Sequence, residues 1–304
     1  MSSSTLLEPD QTVLTPRQLI EWASRQFENN DLYFGHGTDN AYDEAAFLVL
    51  HSLGLPFDEY DESLDKPVQA DQKKQILALV SLRIASRKPA AYLLNEAWFA
   101  GLPFYVNEHV LVPRSPFAEL IAEQFSPWCD PDNLKSILDI GTGSGCIAIA
   151  SAIAFPSAQF DAIDVSDEAL EVARKNVERY ELQKQVTLIN SDLFEKIKEK
   201  KYDLIIANPP YVDDEDMAAL PAEYKHEPVL GLYAGKDGLD IVRRILNEAA
   251  DHLTENGVLV VEVGNSQHAL SEQYPEVPFM WLEFEHGGEG VFLLTREELQ
   301  QWFG

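Results

Sequence analysis

The sequence predicts an α/β protein with a small helical domain ahead of it, and three observations carry that prediction. Apolar runs of strand length recur after residue 135: SILDI at 136–140, QFDAI at 159–163, VTLIN at 186–190 and YDLIIA at 202–207. The first runs into Gly141-Thr142-Gly143-Ser144-Gly145 and then a helical run at 146–154, giving strand, glycine turn and helix. By contrast, residues 1–95 carry helical patterns with clear start signals and no run of alternating strand and helix.

In chain order, Thr15-Pro16 is a start signal for a helix over 17–27, and Asp71 one for a helix over 72–86. Between them, the acid-rich stretch 57–65 (FDEYDESLD) reads as a solvated connector. Residues 98–106 (WFAGLPFYV) form two short aromatic strands around a Gly and a Pro, a hairpin joining two domains. The expected organisation is a helical domain at 1–95, a hairpin connector at 96–109 and an α/β domain at 110–304. In the latter, 240–253 reads as a helix and 257–263 (GVLVVEV) and 290–294 (GVFLL) as strands.

The glycine turn is a ligand-approach device. Glycine permits positive φ and close backbone approach, and the helix N-terminus behind it offers unpaired N–H groups. The spacing G-x-G-x-G departs from the dinucleotide pattern G-x-G-x-x-G, and a helix N-terminus also suits a carboxylate. Asp164 follows the next strand roughly 20 residues beyond the turn, where an acid commonly takes ribose hydroxyls; Ser166 and Asp167 are available to cap the following helix. After the strand at 186–190, Asp192 and Phe194 are an acid and an aromatic able to bracket an adenine. A turn followed by a core anchor reads from the same residues.

Asn208-Pro209-Pro210-Tyr211, after the strand at 202–207, carries the chemistry. Each proline fixes its own φ and pushes the preceding residue toward extended geometry, so the turn is stiff. The Asn208 side-chain oxygen and the Pro209 carbonyl can each accept a hydrogen bond from one planar NH2 group, while the Tyr211 ring offers it a face. That suits an amide or an exocyclic base amine.

With these motifs the chain resembles the class I S-adenosylmethionine-dependent methyltransferases from about residue 104 to the C-terminus. The resemblance implies a Rossmann-like, seven-stranded sheet whose last strand is antiparallel. It also implies a cofactor site at Asp139, Gly141, Thr142, Gly143, Gly145, Asp164, Asp192, Phe194 and Asn208. Asn208, Pro209 and Tyr211 become the catalytic residues and, with Pro210, the substrate site. The helical domain, the hairpin and the segment Val112-Pro113-Arg114-Ser115-Pro116-Phe117 further resemble the protein-glutamine methyltransferases. Ser115-Pro116, where the release-factor branch has Pro-Asp, resembles the branch that modifies large-subunit ribosomal protein L-three. Arg114 is expected to order the cofactor or the catalytic loop, with a structural ion pair as the alternative.

Composition bears on the partner. With 23 basic and 51 acidic residues the net charge is −28, which repels phosphate backbones and favours a basic protein substrate. Methylation of DNA or RNA amino groups therefore ranks below glutamine methylation, with release factors as the alternative protein substrate. A nicotinamide dehydrogenase leaves the Asn-Pro-Pro-Tyr motif unexplained, and a non-catalytic binding protein leaves the intact turn, Asp164 and Asn208 unexplained. Two cysteines without metal spacing, seven histidines without ligand pairing, and a start (1–10) without a signal predict a cytoplasmic enzyme with no catalytic metal.

Overall fold

A computed structural model describes residues 15–56 and 62–304. The chain start at 1–10 and most of the acidic connector (57–61) lie outside the described residues; the connector's remainder, Glu62–Asp65, is a 3-10 turn. The chain divides into two compact units. One holds the described residues up to Glu96 together with Pro221–His226, and the other holds Ala97–Leu220 and Glu227–Gly304.

The first unit is built from α1 (Pro16–Asn29), α2 (Ala41–Leu53), α3 (Ala70–Ser86) and α4 (Ala90–Leu94). Thr15 caps α1 through a capping box: its hydroxyl accepts from the Gln18 N–H, and the Gln18 side chain accepts from the Thr15 N–H. Asn40 caps α2, which stops at Gly54 in the left-handed conformation. α3 begins before the start expected from Asp71, which falls inside the first turn and makes no cap. Leu19, Trp22, Phe27, Leu48, Ile76 and Val80 fill the core between these helices. Arg83 is buried among them: its Nε meets Glu44 Oε1 at 2.5 Å and its Nη2 donates to the Tyr33 carbonyl at 3.1 Å. Glu223, brought in by the Pro221–His226 segment, pairs with Arg87 at 2.8 Å, lies 3.6 Å from Arg83 and accepts from the Tyr33 N–H at 3.1 Å. Two guanidinium and two carboxylate groups thus neutralise each other, all but the partly exposed Arg87 shut away from water.

In the second unit, β1 (Glu96–Phe99) and β2 (Leu102–Tyr105) form the expected hairpin, turning at Ala100 and Gly101, both at positive φ. After α5 (Phe117–Ala122) comes an alternation of β3 (Ser136–Ile140), α6 (Cys146–Ala154), β4 (Gln159–Asp164), α7 (Asp167–Arg179), β5 (Val186–Asn190) and β6 (Tyr202–Ala207). The chain continues through α8 (Asp214–Ala219), α9 (Val229–Leu232) and α10 (Asp240–Glu248) to β7 (Leu253–Glu262). It ends with α11 (Gln267–Gln273), β8 (Met280–Trp281), β9 (Val291–Thr295) and α12 (Arg296–Phe303). The seven-stranded sheet runs β5-β4-β3-β6-β7-β9-β8, with β9 antiparallel to both its neighbours.

Side chains alternate between two cores. Ile137, Leu204, Val258, Val260, Val291 and Leu293 face one; Leu138, Ile140, Ile205, Leu259, Val261 and Phe292 face the other. Burial on both faces is why these strands read as continuous apolar runs. The helix expected over 240–253 ends at Glu248, and a 3-10 turn, Ala249–His252, delivers Leu253 directly into the sheet. Leu253 pairs with Tyr202, so β7 starts before the expected 257. The β6–β7 register then shifts, and Gly257 lies where an added Cβ would sit 2.9 Å from the Tyr202 carbonyl. No helix among the described residues is long and apolar enough to cross a membrane.

Candidate active site

Register assembles the site. Ile163, Ile140, Ala207 and Val261 are paired across β4, β3, β6 and β7. The next residue on each strand is therefore Asp164, Gly141, Asn208 and Glu262, one row along the carboxyl edge of the sheet. Beyond β3 the chain moves outward to β4 on one side, while β6 lies on the other. The row thus straddles the switch point where open α/β sheets bind ligands.

Gly141, Gly143 and Gly145 all adopt positive φ, at 70°, 55° and 79°. The turn leaves β3 with the N–H groups of Gly141 and Thr142 both on the Ile163 carbonyl, at 2.9 and 3.0 Å. A Cβ at Gly141 would lie 3.7 Å from the Asn208 carbonyl, which brings the glycine turn against the acceptor motif. Gly145 opens α6, and its Cβ would press on Ala173 and Ile149 at 3.3 Å, so that glycine serves close packing.

Two acids hold the turn. Asp139, 1% exposed, accepts from the Thr142 hydroxyl at 2.6 Å, and its other oxygen is buried without a hydrogen-bond partner. Burial pushes its carboxyl up to about 7, against the Thr142 hydroxyl, which lowers it. Asp164 accepts from the Gly143 N–H on one oxygen and from the Ser166 N–H on the other, both at 2.9 Å. Burial raises its pKa, opposed by those N–H groups. Ser166 caps α7 through Ala169, so Asp164 is not used as the helix cap. Two carboxylates, one of them with an oxygen that has no donor, beside a glycine cradle at a helix N-terminus fit a cationic, hydroxyl-bearing ligand such as S-adenosylmethionine.

One expected residue stands elsewhere. Phe194 is 1% exposed and stacks on His252 with ring centroids 4.4 Å apart, inside the core beneath the sheet. Neither ring face is open to an adenine, and the core-anchor alternative describes it. Leu193 takes φ 46°, a tight turn that sends the following ring inward. Asp192 stays at the surface, paired with Arg244 at 3.0 Å. Arg114 is engaged by Glu227 through a two-pronged pair at 2.6 and 2.8 Å, and the Val112 N–H bonds the same carboxylate. Glu227 opens the segment whose Leu232 carbonyl and Ala234 N–H pair with Val212, the residue after Tyr211. The ion-pair alternative thus describes Arg114.

In the acceptor motif, Pro209 is buried and Asn208, Pro210 and Tyr211 are half-buried. The Tyr211 hydroxyl donates to Glu262 at 3.2 Å, and its carbonyl accepts from the Ser266 hydroxyl at 2.7 Å. Sequence reading missed Glu262, Glu227 and Ser266. The available signal for Glu262 was an acid ending an otherwise apolar strand, VLVVE, at the same height as Asn208.

Residues 118–223 match the family model described as methyltransferase small domain. A Francisella tularensis subsp. tularensis protein named ribosomal protein uL3 glutamine methyltransferase is 47% identical over 289 residues, covering 95% of this chain and 92% of that one. The chain belongs to the uL3 glutamine methyltransferases. A second member of this family, from Neisseria gonorrhoeae, is 49% identical over 290 residues, covering 95% and 97% of the two chains. Among solved structures, the hMettl16 catalytic domain in complex with a MAT2A 3'UTR hairpin covers 75% of this chain and 81% of its own, at 20% identity and TM-score 0.51. That likeness concerns the methyltransferase fold alone.

Proposed function

We propose that this protein transfers a methyl group from S-adenosylmethionine to the side-chain amide nitrogen of a glutamine in ribosomal protein uL3, the L-three protein of the large subunit. The row Asp164–Gly141–Asn208 carries the reading, because it sets a cofactor cradle and a planar-amide acceptor side by side. The uL3 glutamine methyltransferases supply the substrate. Gly141, Thr142, Gly143 and Asp164 would hold the cofactor, with Asp139 and the close-packed Gly145 fixing the turn and Asp192 at its rim.

An amide nitrogen is a poor nucleophile because its lone pair is delocalised into the carbonyl. Asn208 and the Pro209 carbonyl accept both amide hydrogens, which returns electron density to nitrogen and fixes its direction. Tyr211 packs on the amide plane, and the buried Pro209 helps exclude water that would compete for those hydrogens. Bound S-adenosylmethionine supplies an electrophilic methyl group. The helical domain at 1–95 selects the substrate, the hairpin connects, and residues 110–304 carry the chemistry, in the cytoplasm. The −28 charge steers the basic substrate in.

The test incubates the protein with methyl-labelled S-adenosylmethionine, separated ribosomal proteins and release factors. Label on a uL3 glutamine is expected; label on a release factor alone overturns the substrate. Asn208→Ala should reduce kcat by roughly 100-fold or more, the scale of a lost transition-state acceptor. Near-normal turnover would remove Asn208 from the mechanism.

A further inference from the structure

Glu262 does not enter the reading above, yet it connects the acceptor motif to a distant segment of the chain. It ends β7 beside Asn208 and is 6% exposed. One oxygen accepts from the Ser115 hydroxyl at 2.6 Å and the other from the Tyr211 hydroxyl at 3.2 Å. The Ser115 oxygen also accepts from the Phe117 N–H at 3.2 Å, which turns its proton toward Glu262.

Tyr211 is already fixed at its backbone. Its carbonyl bonds Ser266, and the following Val212 N–H bonds the Leu232 carbonyl at 2.8 Å. The ring lies directly on Gly264, where an added Cβ would come within 2.7 Å of a ring carbon. Gly264 stands at φ 47°, so a substitution there meets both backbone strain and the ring. Main chain and Gly264 therefore set where the ring rests, and the hydroxyl end is a further handle on its tilt.

We propose that Glu262 is a positioning residue, fixing the tilt of the Tyr211 ring over the substrate amide while Ser115 in turn fixes Glu262. The inference rests on the glutamine-methylation reading. A buried carboxylate is an acceptor that must be supplied with donors, and Ser115 and Tyr211 supply one to each oxygen. Burial pushes the Glu262 carboxyl up to about 7; Ser115, Tyr211 and the positive charge of Arg114 oppose that shift and favour the ionised, two-acceptor form. The ring must be held to a fraction of an ångström, since a misplacement of about 1 Å at a reacting centre costs on the order of 100-fold.

The test is a double-mutant cycle on the full-length enzyme with uL3 and S-adenosylmethionine. Glu262→Ala and Tyr211→Phe each remove the same hydroxyl contact. Each is expected to lower kcat by roughly tenfold or more while leaving the cofactor Kd within about twofold. The double variant should be no worse than the more damaging single one, because both changes act through one ring. Glu262→Gln, which keeps an acceptor for Tyr211, should recover part of the loss. Ser115→Ala should reproduce a milder form of it and keeps the set readable if Glu262→Ala folds poorly. Multiplying effects, or a cofactor Kd that weakens as much as kcat falls, would overturn the proposal. If wild-type enzyme labels a release factor and not uL3, the substrate reading fails separately and the cycle is read on the protein that is labelled.

Discussion

Asp164→Asn isolates what a single carboxylate does at the cofactor edge. Its two oxygens each accept one backbone N–H at 2.9 Å, from Gly143 and from Ser166. Asparagine keeps the shape and one acceptor, but its NH2 must face one of those two N–H groups, so one contact becomes donor against donor. A hydrogen bond to a charged group contributes about 1.5 to 3 kcal/mol, and the loss falls on the glycine turn or on the start of α7. On the proposed cofactor site, the ribose hydroxyls would lose a charged acceptor as well. At about 1.4 kcal/mol per factor of ten, the cofactor Kd should rise by roughly 10- to 150-fold. Isothermal titration calorimetry with S-adenosylmethionine measures the change directly, and thermal unfolding of the ligand-free protein confirms that the variant is folded. A Kd within about threefold of wild type, in a folded variant, would refute the assignment of Asp164 to both turn and ligand.

Other expectations rest on separate observations. Arg83→Leu leaves Glu44 buried and unpaired, so unfolding of the helical unit should become easier by about 3 to 5 kcal/mol in urea titrations near pH 7. The burial that already raises the Glu44 pKa lets it take up a proton, so the deficit should shrink at acidic pH. Asp139 has a folded pKa of about 7 against an ordinary 3.8. Between those values the folded state holds the proton that the unfolded state has lost, so this group's contribution to stability falls as pH rises. Asp139→Asn should make the stability–pH slope less negative by up to about 1.4 kcal/mol per pH unit in that window. An unchanged slope in pH-resolved calorimetry would show that Asp139 ionises normally. Finally, the −28 charge predicts that kcat/KM for a basic protein substrate falls severalfold from about 50 to 300 mM salt while kcat stays level, as read by initial rates.

The strands around the site were legible because a sheet buried on both faces needs uninterrupted apolar runs. SILDI and YDLIIA became the central β3 and β6 with the expected bounds, and VTLIN became the edge strand β5, exposed at Thr187. The α10–β7 boundary was not legible, since Leu253 joins the sheet only by pairing with Tyr202 across a register shift. In α2, polar Asn40 and Gly54 mark both ends, but its apolar positions spread around the helix because α1, α3 and α4 surround it. Phe194 shows the limit at the site: an aromatic after a strand end has the same local pattern whether it meets a ligand or the core. The Leu193 turn and the His252 stack decide for the core.

By itself the sequence determined the chemistry available: a glycine turn needing positive φ, an acid after the next strand, and a proline-stiffened amide acceptor. Each is a short-range property of a few adjacent residues. Tertiary structure decided which of them meet, because only strand order and register place Asp164, Gly141, Asn208 and Glu262 in one row. It also decided which charges are spent inside the protein. Arg114 faces Glu227 across 113 residues of sequence, and Ser115 reaches Glu262 across 147. No local pattern encodes such pairs, because buried charges and donors choose partners by proximity in space, where leaving them unpaired would cost most.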